Sequence, residues 1–220
     1  MQKLSILPRW FLRRRLLREL HSRIDLDTFS KIHDRYQSVS PDPGFSKYLD
    51  LKTWLNINLG YALHLGLHRR PSASILDLGT GCGYFPFICR FFGHSVQTID
   101  VDEVSMYREL TGLLQIPRTL HKITAFQPLP EFHTLFDVVT AFMISFNNHK
   151  QPDLWKEREW SFLLDDLTKR CAPKARVFFV LNQEADGKFC SAEIKSLFEK
   201  RGALVKGSFV DFMNGIHPAR

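Results

Sequence analysis

The sequence predicts a doubly wound, mostly parallel α/β sheet with helices on both faces, behind a helical N-terminal extension. Three observations carry that expectation. From residue 73 onward short strand-like runs alternate with helical ones, the first such strand ends in three glycines within five positions (Gly79-Thr80-Gly81-Cys82-Gly83), and residues 1–72 show helical periodicity alone. The expected division is therefore an extension over 1–72 and an α/β domain over 73–220.

Composition sets the bounds. The chain has 220 residues, 44% of them hydrophobic and 24% charged, which suits a folded domain rather than a disordered one. No apolar run reaches the roughly 18–20 residues that cross a bilayer. Cys82, Cys89, Cys171 and Cys190 show neither C-x-x-C spacing nor clustered histidine partners, and no secretory signal is read before them. The expectation is a reduced cytoplasmic protein without a metal site. The net charge of +7 is uneven: residues 1–72 hold thirteen of the 30 Lys/Arg but six of the 23 Asp/Glu, while the rest is balanced. A nucleic-acid-binding surface would more often spread basic residues over the body of the domain, so nucleic acid is disfavoured as a partner.

In the extension, "LPRWFLRRRLLRELHSRI" (7–24) places Trp10, Phe11, Leu12, Leu16, Leu17, Leu20 and Ile24 at three- and four-residue spacings, with arginines between them. Two uses of this basic amphipathic helix stay open: docking its apolar side on the protein's own core, or lying on an anionic membrane surface or acidic partner. A mitochondrial transit segment is a third, lesser alternative. A second helix is expected over 27–38 with Asp27 as its cap, a turn-rich loop over 38–45, and a helix with one broad apolar face over 46–68, ended by Arg69-Arg70-Pro71.

The α/β part then reads in order as strand 74–78, helix 84–92, strand 95–99, helix 103–114, strand 120–124, strand 136–143, helix 155–170, strand 176–181, helix 191–201 and strand 203–210. Strands separated by helices need right-handed crossovers and form a parallel sheet. In such sheets a ligand sits at the carboxyl ends of the strands, where the strand order reverses. The glycine cluster falls at that place, and glycine lets a chain turn sharply while a ligand approaches its backbone.

A dinucleotide-binding turn reads G-x-G-x-x-G, with the pyrophosphate resting on the helix N-terminus. Here the spacing is G-x-G-x-G, Tyr84 follows, and Asp77 stands two residues before Gly79. A carboxylate there opposes a pyrophosphate and suits a zwitterionic ligand with an ammonium group. "ILDLGTGCGYF" (75–85) resembles motif I of the class I S-adenosylmethionine-dependent methyltransferases, a Rossmann-like family, and "QTIDVDE" (97–103) resembles the end of their second strand. The resemblance continues through "FQPLPEFHTLFDVVTAFM" (126–143) and spans residues 74 to about 182.

That resemblance implies S-adenosyl-L-methionine as cofactor. The backbone around Asp77, Gly79, Thr80 and Gly81 would hold its methionine part, and Gly83 would allow close packing of helix and ligand. The Asp100 carboxylate would accept bonds from both ribose hydroxyls, and Val101 would pack on adenine; the other reading of Asp100 is a helix-start acid, a job for which Asp102 and Glu103 compete. Ala125 stands where the family often has an acid for the adenine amino group, so the ring would be held by backbone bonds, by Gln127 or by stacking on Phe126. Little chain follows Val210 for the family's final antiparallel strand, so the last sheet edge is expected to be incomplete or covered by a partner.

For the acceptor, the fourth strand runs into "MISFNNHK" (143–150), and the Asn/Asp-Pro-Pro-Tyr/Phe signature of base and amide N-methylation is absent. A hydroxyl acceptor must lose a proton as it attacks, and His149 could take it, with Asn147 and Asn148 orienting the acceptor. A surface loop with a solvated histidine is the competing reading. Tyr48, with Tyr36 and Trp54, suits the lining or lid of an acceptor site, although Trp54 equally suits the core. The reading is O-methylation of a small or lipid- or glycan-linked hydroxyl compound, in the cytoplasm or at a membrane surface. Its rivals are RNA or protein N-methylation and a non-catalytic partner subunit that keeps the fold. Oligomeric state is not legible.

Overall fold

In the computed structural model, residues 9–39 and 43–219 are described, so Leu7 and Pro8 of the amphipathic segment and residues 40–42 of the expected loop lie outside. The chain forms two compact units. The first comprises the described residues up to Pro71 together with Gly81–Gly93 and Val104–Pro117; the second comprises Ser72–Thr80, His94–Glu103 and the chain from Arg118 onward.

The first unit is helical. It contains α1 (Arg9–His21), α2 (Leu26–Val39), the short α3 (Pro43–Ser46), a 3-10 turn at Lys47–Leu49, α4 (Leu51–His64), a second 3-10 turn at Leu67–Arg69, α5 (Tyr84–Phe91) and α6 (Ser105–Leu113). The apolar stripe of α1 docks on its own unit: Leu16, Leu20 and the following Ile24 are buried. The Arg13 guanidinium donates to the side chain and backbone oxygens of Asn56 on α4, both at 2.8 Å. Arg15 pairs with Glu19 at 2.7 Å, and Arg23 lies 5.3 Å above the Phe91 ring. Trp10 and Phe11, stacked on each other, remain exposed.

Asp27 does not cap α2. The Asp25 carboxylate does so, accepting the backbone N–H groups of Asp27 and Thr28 at 3.1 Å and the Thr28 hydroxyl at 2.7 Å. An N-cap side chain must sit before the first turn to reach its free N–H groups, and α2 begins at Leu26. The expected 46–68 helix is cut at Asp50, whose side chain caps α4 by accepting from Thr53 N–H at 3.0 Å.

The second unit holds a seven-stranded sheet: β1 (Ser74–Leu78), β2 (Ser95–Asp100), β3 (Thr119–Leu120), β4 (Phe136–Ile144), β5 (Cys171–Leu181), β6 (Leu204–Lys206) and β7 (Phe209–Phe212), in the order β3-β2-β1-β4-β5-β7-β6. The first five strands are mutually parallel and β7 is antiparallel to both its neighbours. Strand order runs outward from β1 through β2 to β3 on one side and from β4 to β5 on the other, so the fold is Rossmann-like α/β with its switch point between β1 and β4. Helices α7 (Glu157–Thr168) and α8 (Ala192–Lys200) belong to this unit. Trp160, Leu163, Leu164 and Phe198 from these helices share one core with Leu76, Val139, Val177 and Phe179 from the strands.

Two expectations are corrected here. The third strand is two residues long, because the chain leaves the sheet after Leu120. The last sheet edge is formed by two antiparallel strands: the run expected as one strand over 203–210 folds back at Gly207, whose φ of +58° makes the turn, and holds β6 and the first two residues of β7, which continues to Phe212. The Arg176 guanidinium ties β5 to β7 through two bonds to the Asp211 carboxylate, at 2.9 and 2.6 Å. Buried Arg170 and Asp166 pair at 2.7 Å, and Asp166 also accepts Leu129 N–H at 2.8 Å, which holds the Leu129-Pro130 loop before β4.

Candidate functional site

All three glycines after β1 adopt left-handed backbone, with φ of +72° at Gly79, +54° at Gly81 and +80° at Gly83. Their grounds differ. A Cβ on Gly79 would meet no described atom within 4 Å, so open space lies over that backbone; a Cβ on Gly83 would sit 3.0 Å from Thr111 Cγ2 on α6. Gly79 N–H donates to the Ile99 carbonyl at 2.8 Å, which ties the turn to the end of β2.

Asp77 stands between Thr98 of β2 and Thr140 of β4 in the strand register. Its carboxylate is 2% exposed and accepts the hydroxyls of Thr80 and Thr140, each at 2.7 Å. Burial pushes its pKa up to about 6; the two hydroxyl bonds oppose that rise, and the nearby Asp100 carboxylate adds to it. With its proton committed to Asp77, the Thr80 oxygen is left as an acceptor.

Asp100 ends β2 and is 8% exposed; Val101 N–H donates to one of its oxygens at 2.7 Å. Asp102 and Glu103 have basic partners in Arg118, at 2.7 Å, and Lys122, at 3.4 Å. Arg118 also donates to the Val101 carbonyl at 3.2 Å, which braces the turn beyond β2. Helix α6 starts behind Val104, which offers no side-chain cap.

Ala125 packs against the core of the second unit, whereas Phe126 is exposed, has φ of +60° and sets its ring 5.9 Å from that of Phe162 on α7, edge to face. Gln127 is exposed and its N–H closes a turn onto the Thr124 carbonyl. The Thr124 hydroxyl is buried without a hydrogen-bond partner among the described residues.

At the other side of the switch point, Leu78 ends β1 opposite Ala141, and β4 runs three residues further, about 10 Å, before its loop begins. His149 Nδ1 lies 2.9 Å from Glu184 Oε1, and Lys150 N–H donates to Glu184 Oε2 at 2.9 Å. Asn148 commits its amide to Asp153, at 2.8 Å to the carboxylate and 3.3 Å to the carbonyl. Asn147 is buried; its carbonyl accepts Trp155 N–H at 3.0 Å and its side-chain oxygen has no partner among the described residues. Tyr48 belongs to the first unit, its ring 4.5 Å from Trp54 and 5.8 Å from Tyr107, and its carbonyl accepts the Tyr84 hydroxyl at 2.9 Å. A groove in that unit, lined among others by Phe29, His33 and Asp50, contains none of the residues singled out by sequence.

Sequence reasoning passed over Thr140, Asn182 and Glu184. The one available signal was positional: Asn182 and Glu184 follow directly on β5, at the same strand ends as the glycine turn.

No protein-family model matches the chain, and no curated protein matches it. Among solved structures, the glycopeptide N-methyltransferase MtfA is similar at 15% identity over 60% of this chain and 54% of that one, with a TM-score of 0.44. The amino pentose methyltransferase CalS10 of Micromonospora echinaspora is similar at 19% identity over 57% of this chain and 50% of that one, with a TM-score of 0.43. The ribosomal protein L11 methylase of Lactobacillus delbrueckii subsp. bulgaricus is similar at 18% identity over 71% of this chain and 76% of that one, with a TM-score of 0.45. The chain spans about half the length of the first two.

Proposed function

We propose that the chain is an S-adenosylmethionine-dependent methyltransferase acting on a hydroxyl acceptor. The observation that carries this reading is the left-handed glycine turn after β1 set beside Asp100 at the end of β2, at the switch point of a doubly wound sheet. The residues fit the cofactor. Gly79 leaves its backbone open to a ligand, the Thr80 oxygen and the buried Asp77 charge suit an ammonium group, and Asp100 is an acid at a strand end where two ribose hydroxyls would donate. Phe126 offers an exposed ring face for adenine. When bound, S-adenosylmethionine supplies an already activated methyl group, whose bonding pair stays with sulfur as the acceptor attacks.

The chain's own work is then to place the acceptor oxygen in line, keep water out and take the hydroxyl proton. His149, on the loop after β4, is the proposed base, and Asn147 on the same loop is proposed to orient the acceptor. Exposed Trp10 and Phe11, on the same helix as Arg14, suit attachment to an anionic lipid surface that carries the acceptor. Calorimetric titration of the folded protein with S-adenosylmethionine tests the reading, and absence of binding overturns it. For the surface, pelleting with anionic vesicles should be lost in a Trp10→Ser, Phe11→Ser double variant.

A further inference from the structure

We infer that Glu184 is a positioning residue that holds His149 with its proton on Nδ1, so that Nε2 is bare and basic toward the acceptor. The inference deepens the methyltransferase reading and rests on it for the role of Nε2. An ionised carboxylate only accepts hydrogen bonds, so the 2.9 Å contact requires Nδ1 to donate. The imidazole then has its lone pair on Nε2, and the carboxylate is placed to stabilise the imidazolium that forms when Nε2 takes the acceptor's proton. The His149 and Glu184 side chains are 17% and 11% exposed, so the pair is mostly withdrawn from water and is not a loose surface contact.

The surroundings show that the loop after β4 is held in place. Three residues of 143–150 that are not glycine have left-handed backbone: Met143 at φ +52°, Asn148 at +59° and Lys150 at +58°. Such backbone is strained for a residue with a Cβ and persists only where neighbours impose it. The loop after β5 supplies those neighbours. Asn182 Nδ2 donates to the Met143 and Ile144 carbonyls, at 2.9 and 3.0 Å, while Glu184 takes His149 with one oxygen and Lys150 N–H with the other. Glu184 is itself set by a tight turn, in which its N–H donates to the Lys188 carbonyl at 2.7 Å and its carbonyl accepts Gly187 N–H at 3.0 Å. Two donors therefore converge on one carboxylate. A carboxamide offers a single acceptor oxygen, so Glu184→Gln leaves either the imidazole or the backbone facing an NH2 group.

Long-range nitrogen–proton correlation of the His149 ring, at a pH where it is neutral, reads the tautomer directly in the unliganded protein. The expected result is one dominant form with the proton on Nδ1, lost to a mixture in Glu184→Gln and retained in Glu184→Asp. Acylation of Nε2 by diethyl pyrocarbonate, mapped to the His149 peptide, should slow by about tenfold or more in Glu184→Gln, the scale of a lost orienting partner. A wild-type ring protonated on Nε2, or a Glu184→Gln protein unchanged in both measurements, overturns the inference. If Glu184→Gln does not fold, the wild-type tautomer decides alone. Calorimetry with S-adenosylmethionine is read separately: failure there removes the methyltransferase role while the tautomer still reports on the pair.

Discussion

Asp77 is a carboxylate withdrawn from solvent in the candidate site, and that burial sets its proton affinity. Its carboxyl, pushed up to about 6 from the ordinary 3.8, binds a proton more tightly in the folded protein than in the unfolded chain. Ionisation therefore adds no penalty to folding below about pH 4; the penalty grows as pH rises and is complete above about 6. Asp77→Asn, which keeps an acceptor and a donor for the two threonines, should stabilise the free protein at pH 7 and lose that advantage toward pH 4, as read by urea unfolding. A ligand with an ammonium group favours the ionised form, so S-adenosylmethionine should bind more tightly as pH rises through about 6 and release a proton at pH 6. Calorimetry in two buffers of different ionisation heat measures that proton. At Asp100, replacement by Ala should weaken cofactor binding by about 1.5–3 kcal/mol, the scale of hydrogen bonds to a charged acceptor, without loss of fold. Which acids stand at strand ends was legible in the sequence. That Asp77 is enclosed by Thr80 and Thr140 was not, because Thr140 is 63 residues away and meets Asp77 only through the β1–β4 register.

Among the elements, β1 falls on the expected residues and α5 ends one residue early, since buried runs, helical periodicity and a glycine turn are local signals. The glycines of that turn are predicted to differ. Gly83→Ala meets both left-handed backbone and a 3.0 Å approach to Thr111, and should cost about 2–4 kcal/mol; Gly79→Ala meets the backbone term alone and should cost about 1–2 kcal/mol. Denaturant midpoints at constant m-value separate the two. The C-terminal hairpin was hidden within one strand-like run, and the lone Gly207 was the only local mark of its turn. Helix α2 gives the same lesson, since Asp25 and Asp27 are equally good caps by residue type and only the helix start chooses between them.

For the whole molecule, several arginines of the first 72 residues have partners within their own unit while the net basic charge of the segment is unchanged: Arg13 binds Asn56, Arg15 binds Glu19 and Arg23 covers Phe91. The stability of α1 resides in its buried stripe. Leu20→Ala should lower unfolding free energy by about 2–5 kcal/mol, whereas Trp10→Ser with Phe11→Ser should change it by less than about 1 kcal/mol, a contrast that chemical denaturation reads directly. By itself the sequence determined the strand–helix alternation, the bend of glycines and the acids near the end of β1 and at the end of β2, because periodicity and backbone freedom act over a few residues. The tertiary structure alone decided which distant side chains meet: His149 with Glu184, Asp77 with Thr140, Arg13 with Asn56. The first two depend on strand order and register, where a slip of one residue turns each strand side chain to the opposite face of the sheet, and the third on the docking of α1 against α4.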